Sequence, residues 1–420
     1  MASFSFGAGN AGKLLRIPLY ALGRLATLVI RRTRDLWVFG SAAGLADGAW
    51  ALWEHAAERG ERTVWLTGSA DQAAQARARG IRFTPKGSPR GFWLTARAAV
   101  TVVTHGFGDV NRYAATGGVI VQLWHGIPLK RIGLDATVTI DSPLPFARGI
   151  TRRSLAALYR RTQGRIRVLP AASELVRGRL ESAFGLATAR VPVTGEPRTD
   201  VLSRGTADGR RATARAALAS LVGTVGGDET VVLYAPTWRD GADDPSVPGA
   251  SEITALHALL DDARAVLLVR SHHLGAGDYT TLQGARVRML GGDLAPDITP
   301  LLPGMDALVT DYSSLAYDAA LVPLPTLFFA PDLDAYQRSR GFYGTYADVA
   351  GAAPARDWTE LIAALRALLT DPEDRAERVA RAAALSARMH AFDDGRNTER
   401  VYRAIRRLLP PHPPATERPS

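Results

Sequence analysis

The chain contains no cysteine, which excludes disulfides and cysteine-ligated zinc. It also lacks an uninterrupted apolar run of spanning length. Residues 14–30, "LLRIPLYALGRLATLVI", come nearest, but Arg16, Pro18 and Arg24 break them, whereas a spanning helix needs about 20 apolar residues. No small-residue cleavage site follows, so an export signal is not expected and the body of the protein is expected in the cytoplasm. No helix-turn-helix pattern or aromatic RNA-binding signature is present, and nucleic acid is not an expected partner. Metal-site spacing is missing too. The adjacent His272 and His273 come without the carboxylates or the i, i+4 helical spacing that zinc sites use. There is no short internal repeat.

What is present is enough for two ordinary domains: 420 residues, 46% of them hydrophobic. Lys plus Arg number 51 against 41 Asp plus Glu, a net charge of +10. That balance favours anionic partners, whether nucleic acid, phosphorylated substrates or an anionic membrane, without choosing among them. Arg31, Arg32 and Arg34 follow the first apolar run. Residues 1–33 therefore read as a basic amphipathic segment on a membrane surface, or else as a core-packed first helix with a basic end.

Short apolar runs then alternate with helical patterns. "LWVFG" (36–40), "TVWLTG" (63–68), "AVTVVT" (99–104), "GVIVQLW" (118–124) and "RIRVLP" (165–170) read as buried strands, with a helix over 46–60 and another over 173–184. The alternation pauses near residues 200–228 and resumes at "TVVLYAP" (230–236), "AVLLVR" (265–270), "RVRML" (286–290), "DALVT" (306–310) and "LPTLFFA" (324–330). Such β/α alternation implies parallel sheets covered on both faces. The expected fold is α/β: two Rossmann-like domains, 34–200 and 201–409, facing a cleft, with helices closing the chain from residue 358. The proline-rich residues 410–420 form a tail.

Ligands of doubly wound sheets sit beyond the carboxyl ends of the strands, and chemically able residues collect there. His125 directly follows a strand in "VQLWHGIPLKRIG", with Gly126 and Pro128 turning the chain and Lys130 adding positive charge. A histidine so placed suits proton transfer. In "VTGEPRTDVL", Arg198 offers a planar fork for phosphate, or forms a structural pair with Asp200. "LYAPTWRDG" presents Thr237, whose hydroxyl could cap or touch phosphate, and Trp238, a lid on the sheet edge or a wall for a base. "LLVRSHHLG" supplies Arg270 and two histidines. Neighbours on an extended segment point oppositely, so one histidine, His272, is expected to join Arg270 at phosphate. Finally "DALVTDYSSLAYDAA" leaves a strand through Asp311 and enters a helix through Ser313 and Ser314. One serine suffices as a cap; two hydroxyls at a helix start suggest a bound diphosphate. Asp332, Asp334, Tyr336 and Arg340 follow, either as a binding group for ribose or a polar acceptor or as a surface loop.

Taken together, and in this order, the motifs resemble the CDP-glycerol glycerophosphotransferases, the family of teichoic-acid primases and polymerases. The matches are "WHGIPLK", with Ile127 in place of the usual threonine, "GEPRTD", "YAPTWR", Arg270 with His272, "DYSS" followed by Asp318, and the late "RGFY" at 340–343. They run from about residue 35 to about 405. The resemblance implies a GT-B arrangement with the nucleotide held mainly by the second domain. It implies transfer of glycerol phosphate, or ribitol phosphate, from a CDP-alditol to a hydroxyl on a lipid-linked acceptor, with release of CMP. It implies no cofactor or essential metal, and a peripheral place on the cytoplasmic face of the cell membrane. By the same resemblance His125 is the general base, Lys130 stands on the acceptor side, and His272 binds the transferring or leaving phosphate. Arg198, Thr237, Trp238, Arg270, Asp311, Ser313 and Ser314 surround the donor. The extra N-terminal domain of the longest polymerases is not seen, which suggests a primase or short polymerase. Two other readings compete: a glycosyltransferase of the same fold acting on a nucleotide sugar, and a non-catalytic polyanion- or membrane-binding protein.

Overall fold

Alternation of apolar strands with helices produces two parallel sheets. The computed structural model describes residues 17–136, 148–237, 239, 244–270, 278–351 and 353–411. The chain divides into two compact units. The first comprises residues 1–125, 133–198 and 396–420, and the second residues 126–132 and 199–395.

The first unit holds six strands: β1 (Leu36–Phe39), β2 (Arg62–Thr67), β3 (Phe83–Pro85), β4 (Val100–Val103), β5 (Val119–Gln122) and β6 (Ile166–Val168). Their order is β3-β2-β1-β4-β5-β6, every pairing parallel. β1, β4 and β5 are buried along their whole length, which is why they read as continuous apolar runs rather than alternating ones. Trp37, Phe39 and Trp65 stack in series through the core at 6.3 and 6.1 Å. β3 is a three-residue edge strand containing a proline, too short and too polar for the sequence pattern to mark.

The second unit holds β7 (Thr230–Ala235), β8 (Ala265–Val269), β9 (Val287–Met289), β10 (Ala307–Thr310) and β11 (Thr326–Phe328), ordered β11-β10-β7-β8-β9 and again all parallel. In each unit the strand order reverses once, between β1 and β4 in the first and between β7 and β10 in the second. These are the points at which doubly wound sheets bind ligands.

The unit boundary at Arg198/Thr199 lies close to the expected one, with two exchanges. The last helix, Asn397–Arg406, was expected in the second domain but belongs to the first unit. Its apolar stripe Val401 and Ile405 is fully buried there, Tyr402 stacks on Trp37 at 5.6 Å, and the Tyr402 hydroxyl donates to Glu61 at 2.7 Å. Conversely, residues 126–132, expected with His125, join the second unit. Tyr343 N–H donates to Leu129 O at 3.0 Å and Arg131 N–H to Gly341 O at 3.2 Å.

The helix Ile17–Val29 docks on the first unit by a narrow seam. Gly23 and Thr27, one turn apart, are buried, Gly23 against Tyr113, and the Thr116 hydroxyl donates to Thr27 at 2.7 Å. Leu19, Leu22, Leu25, Leu28 and Val29 remain exposed. No helix among the described residues is long and apolar enough to cross a membrane. Residues 14–16 of the first apolar run and residues 412–420 of the tail lie outside the described residues.

Candidate active site

At the carboxyl end of β5 the chain twists sharply. Trp124 has φ +61° and Gly126 φ +132°, with His125 between them. A tryptophan in the left-handed region stores strain of about 1–3 kcal/mol, the kind of cost that persists where a side chain must be aimed. The imidazole of His125 packs against two rings. His105 stacks on it at 4.4 Å with 4° between the planes, and Trp124 packs at 4.2 Å, itself edge-on to Phe184 at 5.2 Å. Burial first, then the neighbouring His105 and Arg198, hold His125 well below the ordinary imidazole range; the nearby Thr104 backbone opposes them. The ring is therefore neutral at pH 7, and its Nδ1 makes no hydrogen bond of good geometry. A neutral, strand-end imidazole is what a proton acceptor requires.

His105 was not anticipated. It follows β4, as His125 follows β5, and its Nδ1 lies 2.8 Å from Thr104 Oγ1, which lies 2.8 Å from Ser41 Oγ beyond β1. Asp109 Oδ2 accepts the backbone N–H groups of Thr104 (2.9 Å), His105 (2.7 Å) and Gly106 (3.3 Å), fixing the turn. The signal was available: "THG" beyond a buried strand repeats the pattern of "WHG".

Arg198 also belongs to the first unit, so it is not grouped with the other donor candidates. Its Nε binds Asp47 Oδ1 at 2.9 Å, while Asp200 pairs with Arg204 at 3.1 Å.

In the second unit the loops after β7 and β10 are knotted around Arg239. Arg239 is buried, and its guanidinium binds Asp311 Oδ2 through Nη1 (3.0 Å) and Asp332 through Nε and Nη2 (2.7 and 2.9 Å). The Tyr312 hydroxyl donates to Asp332 at 2.9 Å, and Tyr312 stacks on Tyr336 at 3.8 Å. Burial would weaken the Arg239 charge, but the Asp332 and Asp311 carboxylates outweigh it and raise its pKa. At Asp311 burial wins instead and raises the pKa in spite of Arg239, so this carboxylate is disfavoured where the guanidinium is favoured. Asp311 also accepts Thr237 N–H at 2.9 Å and Tyr312 N–H at 2.6 Å. Its carboxylate faces protein donors, so it shapes the loop; an anion placed beside it would be repelled.

The remaining donor candidates divide by what their polar atoms touch. Thr237 Oγ1 is buried without a hydrogen-bond partner. Ser313 Oγ accepts Leu315 N–H at 3.2 Å, and Ser314, at the start of the helix Leu315–Ala320, makes no side-chain cap. That helix has six residues, all buried, so its dipole is weak and the two hydroxyls, rather than the helix end, carry the anion-binding potential. Arg270 turns Nη1 toward the carbonyls of Ala295 (2.7 Å) and Leu290 (3.4 Å). Lys130 groups with this unit rather than with His125. Its Nζ lies 5.8 Å from the centre of the Tyr336 ring, and its pKa is lowered to about 8 by burial, Asp311 opposing and Arg340 and Arg239 adding to the effect. Trp238 and His272 lie outside the described residues. Arg239, Tyr312, Asp332 and Tyr336 organise the site, although the sequence pattern alone gave them no role beyond motif membership or a binding loop.

A family model describing CDP-glycerol:poly(glycerophosphate) glycerophosphotransferase matches residues 25–407. The chain belongs to this family. It is thereby an enzyme of the glycerophosphotransferase class, with relatives in teichoic acid synthesis. A teichoic acid glycerol-phosphate transferase of Staphylococcus aureus is 28% identical over 306 residues, covering 70% of this chain and 72% of the relative. The teichoic acid poly(glycerol phosphate) polymerase of Staphylococcus epidermidis is 30% identical over 233 residues, 54% of this chain but only 30% of that longer protein. Among solved structures, the wall teichoic acid polymerase TagF superposes with a TM-score of 0.74 at 22% identity, covering 95% of this chain and 97% of that one. The likeness shows the fold. The α/β architecture of two Rossmann-like sheets extends at TM-score 0.54 and 13% identity to a UDP-GlcNAc 2-epimerase from Neisseria meningitidis, covering 89% of this chain and 99% of that one.

Proposed function

We propose that the protein transfers glycerol phosphate or ribitol phosphate from a CDP-alditol to a hydroxyl of a lipid-linked acceptor, with release of CMP. The observation that carries this reading is the neutral His125 imidazole, aimed by a strained turn at a strand end. His125 takes the proton of the acceptor hydroxyl as its oxygen attacks the phosphorus bearing the alditol. The phosphoanhydride bond breaks, and CMP leaves with the electron pair. Phosphoryl transfer asks for alignment and charge stabilisation more than for covalent chemistry. In the second unit, the unpartnered Thr237 hydroxyl, the Ser313 and Ser314 hydroxyls, Arg270 and His272 supply these to the diphosphate, with Lys130 beside them and Trp238 as a wall for the base. Asp311 acts one step back, by holding the Thr237 turn. Support comes from family membership and from relatives that act on glycerol phosphate; TagF, in a histidine variant, has been soaked with CDPG.

The test is CMP release from CDP-glycerol and CDP-ribitol in the presence of a lipid-linked acceptor analogue. Turnover of a sugar nucleotide instead would replace the reading by glycosyl transfer. Binding of donor or polyanion without any turnover would reduce it to a binding protein.

We further propose that the helix Ile17–Val29 rests on an anionic membrane surface, bringing the enzyme to its lipid-linked acceptor. Its exposed leucines supply apolar contact, and Arg24, close enough to Arg165 to influence its charge, together with Arg161, supplies positive charge. Replacing Leu22, Leu25 and Leu28 by Gln should abolish cosedimentation with anionic vesicles and leave the melting temperature nearly unchanged. Undiminished cosedimentation would remove this helix from the account.

A further inference from the structure

A titratable ring stacked on the proposed base has no part in the reaction as described. His105 and His125 come from the ends of adjacent strands and face each other in parallel at 4.4 Å. Two positive charges at that separation interact strongly enough to shift each other's titration by more than about one pH unit. The surroundings of the pair are not symmetrical. Burial disfavours a cation on either ring, but at His105 the Asp109 carboxylate, which accepts the His105 backbone N–H at 2.7 Å, and Asp47 oppose it. At His125 the facing His105 and Arg198, itself paired with Asp47, add to the effect of burial. The uncharged groups fix the rings: Thr104 and Ser41 hold His105 through a hydroxyl chain, and Trp124, edge-on to Phe184, packs against His125.

We propose that His105 is a positioning residue for His125: the stacked pair accepts one proton between its two rings, the proton settles on His105, and His125 stays a free base. Burial alone would also discourage a proton on His125. What His105 adds is a flat surface that fixes the ring and a charge that appears as the pH falls, when the base most needs protecting. The consequence is an acid limb that lies lower than the base could reach by itself. The inference rests on the proposed role of His125 only for its kinetic arm.

The experiment compares the full-length wild type with His105→Phe, which keeps the stack and loses the titrating group. The His125 ring is followed by NMR through its own titration, assigned with His125→Phe. In parallel, kcat/KM for CMP release is measured from pH 5.5 to 8.5. His105→Phe should raise the His125 midpoint by about one unit. Because a protonated His125 cannot accept the substrate proton, the acid limb of the kcat/KM profile should move up by about one pH unit in the variant. An unchanged His125 midpoint in a folded His105→Phe protein overturns the proposal. If that variant does not fold, His105→Gln, which retains a partner for Thr104, is titrated in its place and judged by the same midpoint. A wild type that releases no CMP from either donor counts against the proposed function; the NMR titration still decides the proton-sharing pair.

Discussion

Replacing Arg239 by Met tests what holds the second unit's site together. The guanidinium is 5% exposed at its side chain, with Asp311 at 2% and Asp332 at 21%, so water screens the first pair hardly at all and the second only in part. Three bonds to carboxylates and one to the Thr237 carbonyl vanish, each worth about 1.5–3 kcal/mol. Their sum is an upper bound, because Asp311 keeps the N–H groups of Thr237 and Tyr312 and can take up a proton. Breaking one partner of a buried pair costs about 3–5 kcal/mol, and the Arg239 loss should fall there. That is a large part of the roughly 5–15 kcal/mol that holds a domain folded. The pH dependence gives the sharper test. The Asp311 pKa is already raised in the folded state, and without Arg239 it rises further. A carboxyl raised on folding contributes stability that is full below its unfolded pKa and is lost as pH climbs through the folded value. Asp332, lowered in the wild type by Arg239 against its burial, contributes in the opposite sense, and the variant forfeits that contribution. Urea unfolding of Arg239→Met should therefore show its largest deficit at pH 8 and a clearly smaller one near pH 5. Adding Asp311→Asn should restore part of the loss at pH 8. A deficit below about 1 kcal/mol, the range of an exposed pair, or one independent of pH, would refute the reasoning.

Three other perturbations follow from single contacts. Ser314→Ala should leave stability within about 0.5 kcal/mol, since the side chain makes no cap, yet weaken CDP-alditol binding in calorimetry; Ser313→Ala should also lower the melting temperature, since Ser313 accepts Leu315 N–H. Lys130, with its pKa lowered to about 8, is a cation that the folded state disfavours, so wild-type stability should rise with pH between about 8 and 10.4; Lys130→Met should flatten that rise in thermal melts. Gly195→Ala should destabilise the first unit by about 2 kcal/mol or more, because φ is +73° and a Cβ would overlap the buried Asn397 side chain that begins the last helix. A neutral result would show that this helix is not seated as described.

Ten of the eleven described strands were legible, since fully buried parallel strands announce themselves as apolar runs bounded by turn residues. β3 was not, because three residues with a proline carry no period. The exchange of the last helix was illegible for a different reason: the stripe Val401/Ile405 says that the helix is half-buried but not which sheet it covers. The site divides the same way. Histidines and hydroxyls at strand ends could be listed from "WHG" and "DYSS", because position after a strand is local information. That Arg198 would bind Asp47, that Asp311 would face Arg239, and that His105 would stack on His125 are pairings between distant segments, decided by packing.

The central claim is that His125 serves the rate and not the donor. His125→Ala and wild type, both checked for folding, should be compared in donor affinity by calorimetry and in CMP release with an acceptor analogue. A general base contributes about 10²–10⁴-fold, so turnover should fall by that order while CDP-alditol affinity stays within about twofold. Near-normal turnover in the folded variant, or a loss that lies wholly in donor binding, would contradict the account.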